Sequence, residues 1–283
     1  MYYLTTGDNN VAIGSSALYS NTTGNANVAI GRLASNTLAV GTNNAHIGFS
    51  AGQYATGSYN TFIGSAAGKG GTTSAPYSSG QNNVAVGTNA LKGFTSAGSV
   101  VAIGKDAFQA ATTAGGASVA IGESAGYNIT TGGYNTFVGS STGYRNQTGG
   151  ENTYIGQGAG FGSAAAPNAY ANTAVGYRTL YTIQTTGHSN FAGGYQAAYN
   201  STTTTYSVMI GRDAGYQIGA ATHTTLLGHQ SGKYATGSYN TFVGSKAGEG
   251  GTTSAPYSSG VNNTALGYNA LTGFTTAIGN TAI

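Results

Sequence analysis

The chain has 283 residues, of which 49 are Gly, nine are Lys or Arg and six are Asp or Glu, for a formal net charge of +3. Gly at one residue in six without a strict three-residue period excludes collagen, and 39% apolar content with 5% charge excludes a disordered tail. Basic residues scattered singly lack the clustered face of a nucleic-acid binder; there is no Cys, and no apolar run is long enough to span a bilayer. The opening MYYLTTGDNN shows neither the charged nor the apolar part of a secretory signal. In chain order, a four-residue pattern of apolar-or-Thr, apolar, aliphatic, Gly recurs at Gly14, Gly31, Gly48, Gly64, Gly87, Gly104, Gly122, Gly139, Gly156, Gly176, Gly194, Gly211, Gly228, Gly244, Gly267 and Gly279. Intervals run from 16 to 20 residues, apart from two of 23 and a final one of 12.

With the repeat Gly as position 0, each position of the unit has a role. Position −4 is mostly Asn (Asn10, Asn27, Asn44, Asn60, Asn83), which tolerates left-handed turns and, stacked rung upon rung, forms an amide ladder. Position +3 is mostly Ala (Ala17, Ala34, Ala51, Ala67, Ala90), the small residue a narrow coil demands. Positions −3 and −1 share one face of a strand. Two short strands and two turns per unit predict an all-β fold, a parallel β-roll or solenoid of about sixteen rungs of ~17 residues. Gly, Thr and Asn exclude a helical repeat. The chain reads as a single array, 1–283, with insertion loops at 69–82, 161–171 and 249–262 that contain Pro76, Pro167 and Pro256. Residues 54–95 and 234–275 agree at 34 of 42 positions, as expected of a modular array in which each unit touches mainly its neighbours.

Position −2 is expected to point away from the coil, yet it is apolar or aromatic in nearly every unit. Phe62, Phe137, Tyr154, Met209, Leu226 and Phe242 are therefore the candidate contacts between chains, because a stripe of this kind exceeds what a monomer leaves bare. The expected assembly is an intertwined or side-by-side homotrimer. Both ends of the sequence fall mid-unit, which adds the expectation of a longer array or of end-to-end stacking.

Asn10–Ala17 and Asn27–Ala34 read Asn-Val-Ala-Ile-Gly-x-x-Ala. This motif resembles the head repeat of trimeric autotransporter adhesins. The longer Asn-Thr-x-Ile-Gly-x-x-Ala-Gly, with a following Thr-Thr-Gly, resembles repeats of bacteriophage tail fibres. The resemblance covers essentially the whole array and implies a trimeric, left-handed parallel β-roll on a virion fibre or bacterial surface, used for attachment. The longer unit, and the lack of a recognisable neck, stalk, anchor or signal, favour a virion fibre or a fragment of one.

The acids, Asp8, Asp106, Glu123, Glu151, Asp213 and Glu249, are expected in surface ion pairs, with Lys105 one rung from Glu123 at matching phase. His46, His188, His223 and His229 fall at unrelated unit positions, so no metal site, cofactor or catalytic residue is expected. Two features are candidates for receptor or glycan contact. One is the position +5 series Tyr127, Tyr144, Phe161, Tyr181, Tyr199 and Tyr216, for which a packing ladder is the favoured alternative; the other is the pair of insertions carrying Pro76-Tyr77 and Pro256-Tyr257, which read equally as spacer loops. The expected function is a non-catalytic fibre or adhesin module, extracellular, that binds a cell-surface glycan or protein without nucleic-acid binding or membrane insertion. The alternatives are an ice-binding solenoid, disfavoured because Thr clusters fall in turns, and a tailspike-like glycan depolymerase, disfavoured because acids are not paired.

Overall fold

The computed structural model describes residues 3–71, 77–113, 116–162, 168–184, 186–251, 254 and 257–283. The chain divides into two compact units, Met1–Ser141 and Thr142–Ile283. Each is an all-β parallel solenoid with no helix among the described residues. The first carries β1 (Val11–Ile13), β2 (Val28–Ile30), β3 (Ala45–Ile47), β4 (Thr61–Ile63), β5 (Val84–Val86), β6 (Val100–Ile103), β7 (Ser118–Ile121) and β8 (Thr136–Val138). The second carries β9 (Thr153–Ile155), β10 (Thr173–Val175), β11 (Phe191–Gly193), β12 (Val208–Ile210), β13 (Thr225–Leu227), β14 (Thr241–Val243), β15 (Thr264–Leu266) and β16 (Thr281–Ala282). Within each unit every strand pairs in parallel with the next, in equivalent register, as in Val11↔Val28, Ala12↔Ala29 and Ile13↔Ile30.

Each rung contributes one short strand, not the two expected. The rest of the coil is turned backbone, because φ is positive at alternate residues after the strand: 124° at Gly14, 59° at Ser16 and 46° at Leu18. The alternation bends the chain too sharply for a second extended segment. Its amides still bond to neighbouring rungs, as Leu33 N–H does to Ser15 O (2.9 Å) and Leu18 N–H to Ala34 O (3.1 Å). Position 0 must be Gly because a Cβ on Gly14 would lie 2.7 Å from the carbonyl carbon of Gly31 in the next rung.

The strand faces are the reverse of the expectation. Position −2 points into the coil, so Phe62, Phe137, Tyr154, Met209, Leu226 and Phe242 are core residues and not chain–chain contacts. The outward residues are positions −3 and −1, where Ile13 is 58% and Ile47 is 36% exposed. Both faces are apolar, so alternation alone could not say which was inside. The deciding pattern is a reciprocity of size between positions −2 and +4. Large His46, Phe62, Phe137, Tyr154, Met209, Leu226 and Phe242 are followed six residues later by Gly52, Gly68, Gly143, Gly160, Gly215, Gly232 and Gly248. Small Ala12, Ala85, Ala102, Ala174 and Ala265 are followed by Leu18, Leu91, Phe108, Leu180 and Leu271, whereas Ala29, Ala120 and Ala192 are followed by the small residues Ser35, Gly126 and Ala198. A Cβ on Gly68 would overlap the Phe62 ring, which shows the two positions filling one space.

The amide ladder forms, although the left-handed residue is the one before the Asn. Asn43 has φ 57°, and Asn44 is buried. Asn44 Nδ2 donates to Asn27 Oδ1 (3.0 Å) and to Gly57 O (3.1 Å), while its Oδ1 accepts the Asn60 N–H (2.9 Å). The ladder also corrects the last rung. Asn280 N–H donates to Asn263 Oδ1 (3.0 Å) across 17 residues, and Thr281 pairs with Thr264. Gly279 (φ 72°) therefore precedes the ladder Asn and is not a position 0 glycine, and the final interval of 12 is a normal rung read out of register.

Candidate binding surfaces

In the second unit the position +5 rings stack along the solenoid. Centroids are 5.2 Å apart for Tyr144–Phe161, 4.9 Å for Phe161–Tyr181, 5.0 Å for Tyr181–Tyr199 and 5.1 Å for Tyr199–Tyr216. Interplanar angles of 5° to 13° mean that each ring covers the face of the next. Tyr127 holds the same unit position in the first unit. A sugar stacks on a ring face, so a closed ladder offers it only edges and hydroxyls. Cations take further contacts on the ladder: Arg145 lies 5.4 Å from the Phe161 centroid, Arg178 5.3 Å from Tyr181, and Lys233 6.0 Å from Tyr216. The Tyr216 phenol is held above its ordinary pKa, first by partial burial and then by neighbouring Tyr199 and Asp213.

A second ring column escaped sequence reading. Tyr170 stacks on His188 (4.7 Å), His188 meets Tyr206 edge-on (4.9 Å), and His223 lies between Tyr206 (5.0 Å) and Tyr239 (5.2 Å). The signal was present at positions −6 and −5, but the column shifts by one residue between His188 and Tyr206, which hid it. His46 is of another kind. It is fully buried, its Nδ1 lies 2.6 Å from Ser35 Oγ, its ring stacks on Phe62 at 4.6 Å, and its Nε2 has no partner. Burial lowers its pKa from 6.5 to about 3. With Ser35 equally enclosed, the pair resembles a nucleophile and base only in composition, since no substrate reaches it.

At the two insertions, Pro76 and Pro256 lie outside the described residues, as does Pro167. Tyr77 stacks on Tyr54 (6.2 Å, 11°), and Tyr257 stacks on Tyr234 (6.1 Å, 13°), so the duplicated blocks keep the same arrangement. Residues 69–71 and 77–82 belong to the coil, as the bonds Gly71 N–H to Phe94 O (2.6 Å) and Ser79 N–H to Thr95 O (2.7 Å) show, which makes the loop narrower than 69–82.

Of the six acids expected in surface ion pairs, Asp106, Glu123, Asp213 and Glu249 are paired, and no ion pair forms at Asp8 or Glu151 among the described residues. Lys105 Nζ lies 3.4 Å from Glu123 and 3.8 Å from Asp106; Asp213, mostly buried, has Arg212 at 3.7 Å and Lys233 at 3.8 Å; Glu249 has Lys246 at 3.9 Å. Among the described residues no three His, Asp or Glu converge as metal ligands, and no helix is long and apolar enough to cross a membrane. No family model matches the chain, and no curated protein matches it.

Proposed function

We propose that the chain is a non-catalytic structural module of an extracellular attachment fibre, of a phage tail or a bacterial surface, that assembles as a homotrimer and engages a cell-surface glycan or protein. One observation carries the reading. None of the sixteen strands contains Asp, Glu, Lys or Arg, and in both units the strand face that the coil leaves open carries columns mainly of Val or Thr and of Ile, Val or Leu, with Ala45, Phe191 and Gly193 as exceptions. Parallel sheets are ordinarily covered on both faces. Eight rungs at ~4.8 Å and a strand about 10 Å wide make each strip on the order of 400 Å². That is as large as the biggest apolar patch of a typical monomer and about half of one side of a standard interface. Chains joined along these strips cover them, and weak single contacts with a receptor then multiply through valency. The likeness of Asn10–Ala17 to adhesin-head and tail-fibre repeats supports the same reading. Asp106, Glu123, Asp213 and Glu249 each have a lysine within 3.9 Å, with Asp106 and Glu123 sharing Lys105, which fits structural ion pairing.

The test is molar mass by light scattering together with adhesion to bacterial envelopes and to arrayed glycans. Three times the 28.0 kDa chain mass is expected, and a stable monomer overturns self-association. A second reading has one observation in its favour. In the second unit Thr153, Thr173, Thr225, Thr241, Thr264 and Thr281 share the outward position −3, interrupted by Phe191 and Val208, in a column that could order water. Its companion column at position −1 is aliphatic and not Thr, which ranks ice binding second. Inhibition of ice recrystallisation by the wild type, lost on Thr→Lys substitution along that column, reverses the ranking.

A further inference from the structure

The duplicated blocks differ at eight positions, and three of these alter the charge beside one feature of the surface. In the first unit a depression of about 380 Å³ is lined by Lys69, Gly70, Gly71, Lys92, Gly93 and Gln109. It exists because position +6 is Gly in two successive rungs, Gly70 and Gly93, where neighbouring rungs carry Tyr54 and Ala110. Lys69 and Lys92, both at position +5, border it from consecutive rungs and are half-buried. Lys69 Nζ lies 5.5 Å from the Tyr54 centroid, and no carboxylate among the described residues pairs with either lysine. Asp106 is the nearby acid, and its charge is engaged elsewhere. It accepts from Gln109 Nε2 (3.1 Å) and Asn89 Nδ2 (3.0 Å) and has Lys105 at 3.8 Å.

In the second unit the same backbone recurs. Gly70 and Gly250 have φ 97° and 98°; Ser78 Oγ donates to Phe94 O (2.7 Å), and Ser258 Oγ donates to Phe274 O (2.9 Å). Glu249 stands in place of Lys69, Thr272 in place of Lys92 and Lys246 in place of Ala66, with Lys246 and Glu249 paired at 3.9 Å. The scaffold therefore does not require two lysines at this point. Two like charges on adjacent rungs repel each other, and of the two lysines Lys69 has the Tyr54 ring beside it while neither has a carboxylate partner among the described residues.

We propose that the Lys69–Lys92 depression binds the anionic group, sulfate or carboxylate, of an acidic polysaccharide. This rests on the attachment reading and gives it a ligand class. Two ammonium groups supply the charge, the bare glycine backbone admits the sugar body between them, and Tyr54 with Gln109 flanks it by apolar and amide contact. The related site in the second unit has lost that charge, so one site per chain is expected.

The experiment is calorimetric titration of the whole chain with a heparin-derived hexasaccharide, a neutral dextran hexasaccharide and inorganic sulfate. The variant is Lys69→Glu/Lys92→Thr, which copies residues the second block already folds with. Arg32→Glu/Arg145→Thr matches its charge change away from the depression. Expected are one acidic oligosaccharide per chain, no binding of dextran, weakening with added salt, and a loss on the order of tenfold in the lysine variant alone. Equal binding by wild type and lysine variant overturns the proposal, as does an equal loss in the arginine control, or inorganic sulfate binding as tightly as the hexasaccharide. Adhesion to envelopes that persists in the lysine variant sinks the site while sparing the attachment reading; a wild type that adheres to no envelope sinks that reading itself.

Discussion

Phe62 and Gly68 occupy one space, and their coupling is measurable. Phe62→Ala empties a fully buried site and is expected to cost about 3–5 kcal/mol in urea denaturation. The next rung holds Ala85 with Leu91 at φ 52°, so Phe62→Ala/Gly68→Leu should recover part of the loss, while Gly68→Leu alone should be worse than either. Additive losses would refute the shared space. His46 gives a second residue-scale prediction. Its folded pKa of about 3 lies below the 6.5 of the unfolded chain, so the fold favours the neutral ring. Stability is unaffected above pH ~6.5 and falls as pH drops from there towards ~3, by on the order of 4 kcal/mol. Ser35→Ala/His46→Phe should flatten that part of the urea-midpoint profile.

At the scale of elements, the ladder of buried Asn side chains joins rungs more specifically than the three-residue strands. Asn44→Ala leaves the Asn60 N–H without its side-chain acceptor and Gly57 O without its donor, at an expected cost of about 2–5 kcal/mol. Asn44→Ser should cost less, because Ser207 Oγ already accepts the Thr224 N–H (3.1 Å) at this position in another rung. Equal losses in the two variants would show that the acceptor does not matter. The Tyr ladder is the exposed counterpart. Tyr181→Ala removes two stacks and the Arg178 contact, for an expected 1–3 kcal/mol of stability. Its ring faces are already covered, so glycan binding should be unchanged in this variant.

For the whole molecule the decisive surface is the open strand face. Ile63→Lys with Ile210→Lys places a charge in the outward column of each unit without touching the core, and a drop in molar mass at unchanged urea midpoint is the expected result. Against an oligomeric wild type, unchanged mass would move the proposed self-association to another surface. Corresponding substitutions at Phe62 or Phe242, the contacts first expected from sequence, should unfold the chain instead, since both are fully buried.

The period, the parallel stacking, the Ala at position +3 and the Asn ladder were legible because each repeats rung after rung, and a repeated side chain meets its own copy in a solenoid. The ion pair of Lys105 with Glu123 followed from phase alone. Which strand face turns inward was not legible from apolarity, since Ile63 and Phe62 are both apolar; the cue was the six-residue link from Phe62 to Gly68, a contact through space. The second strand per rung was lost to alternating left-handed residues such as Ser16 and Leu18, which composition does not reveal in residues other than Gly. Sequence by itself thus determined a stacked, Gly-cornered coil. Only the tertiary structure decided what that coil shows to its surroundings, because inside and outside are set by which side chains fit together across one narrow turn.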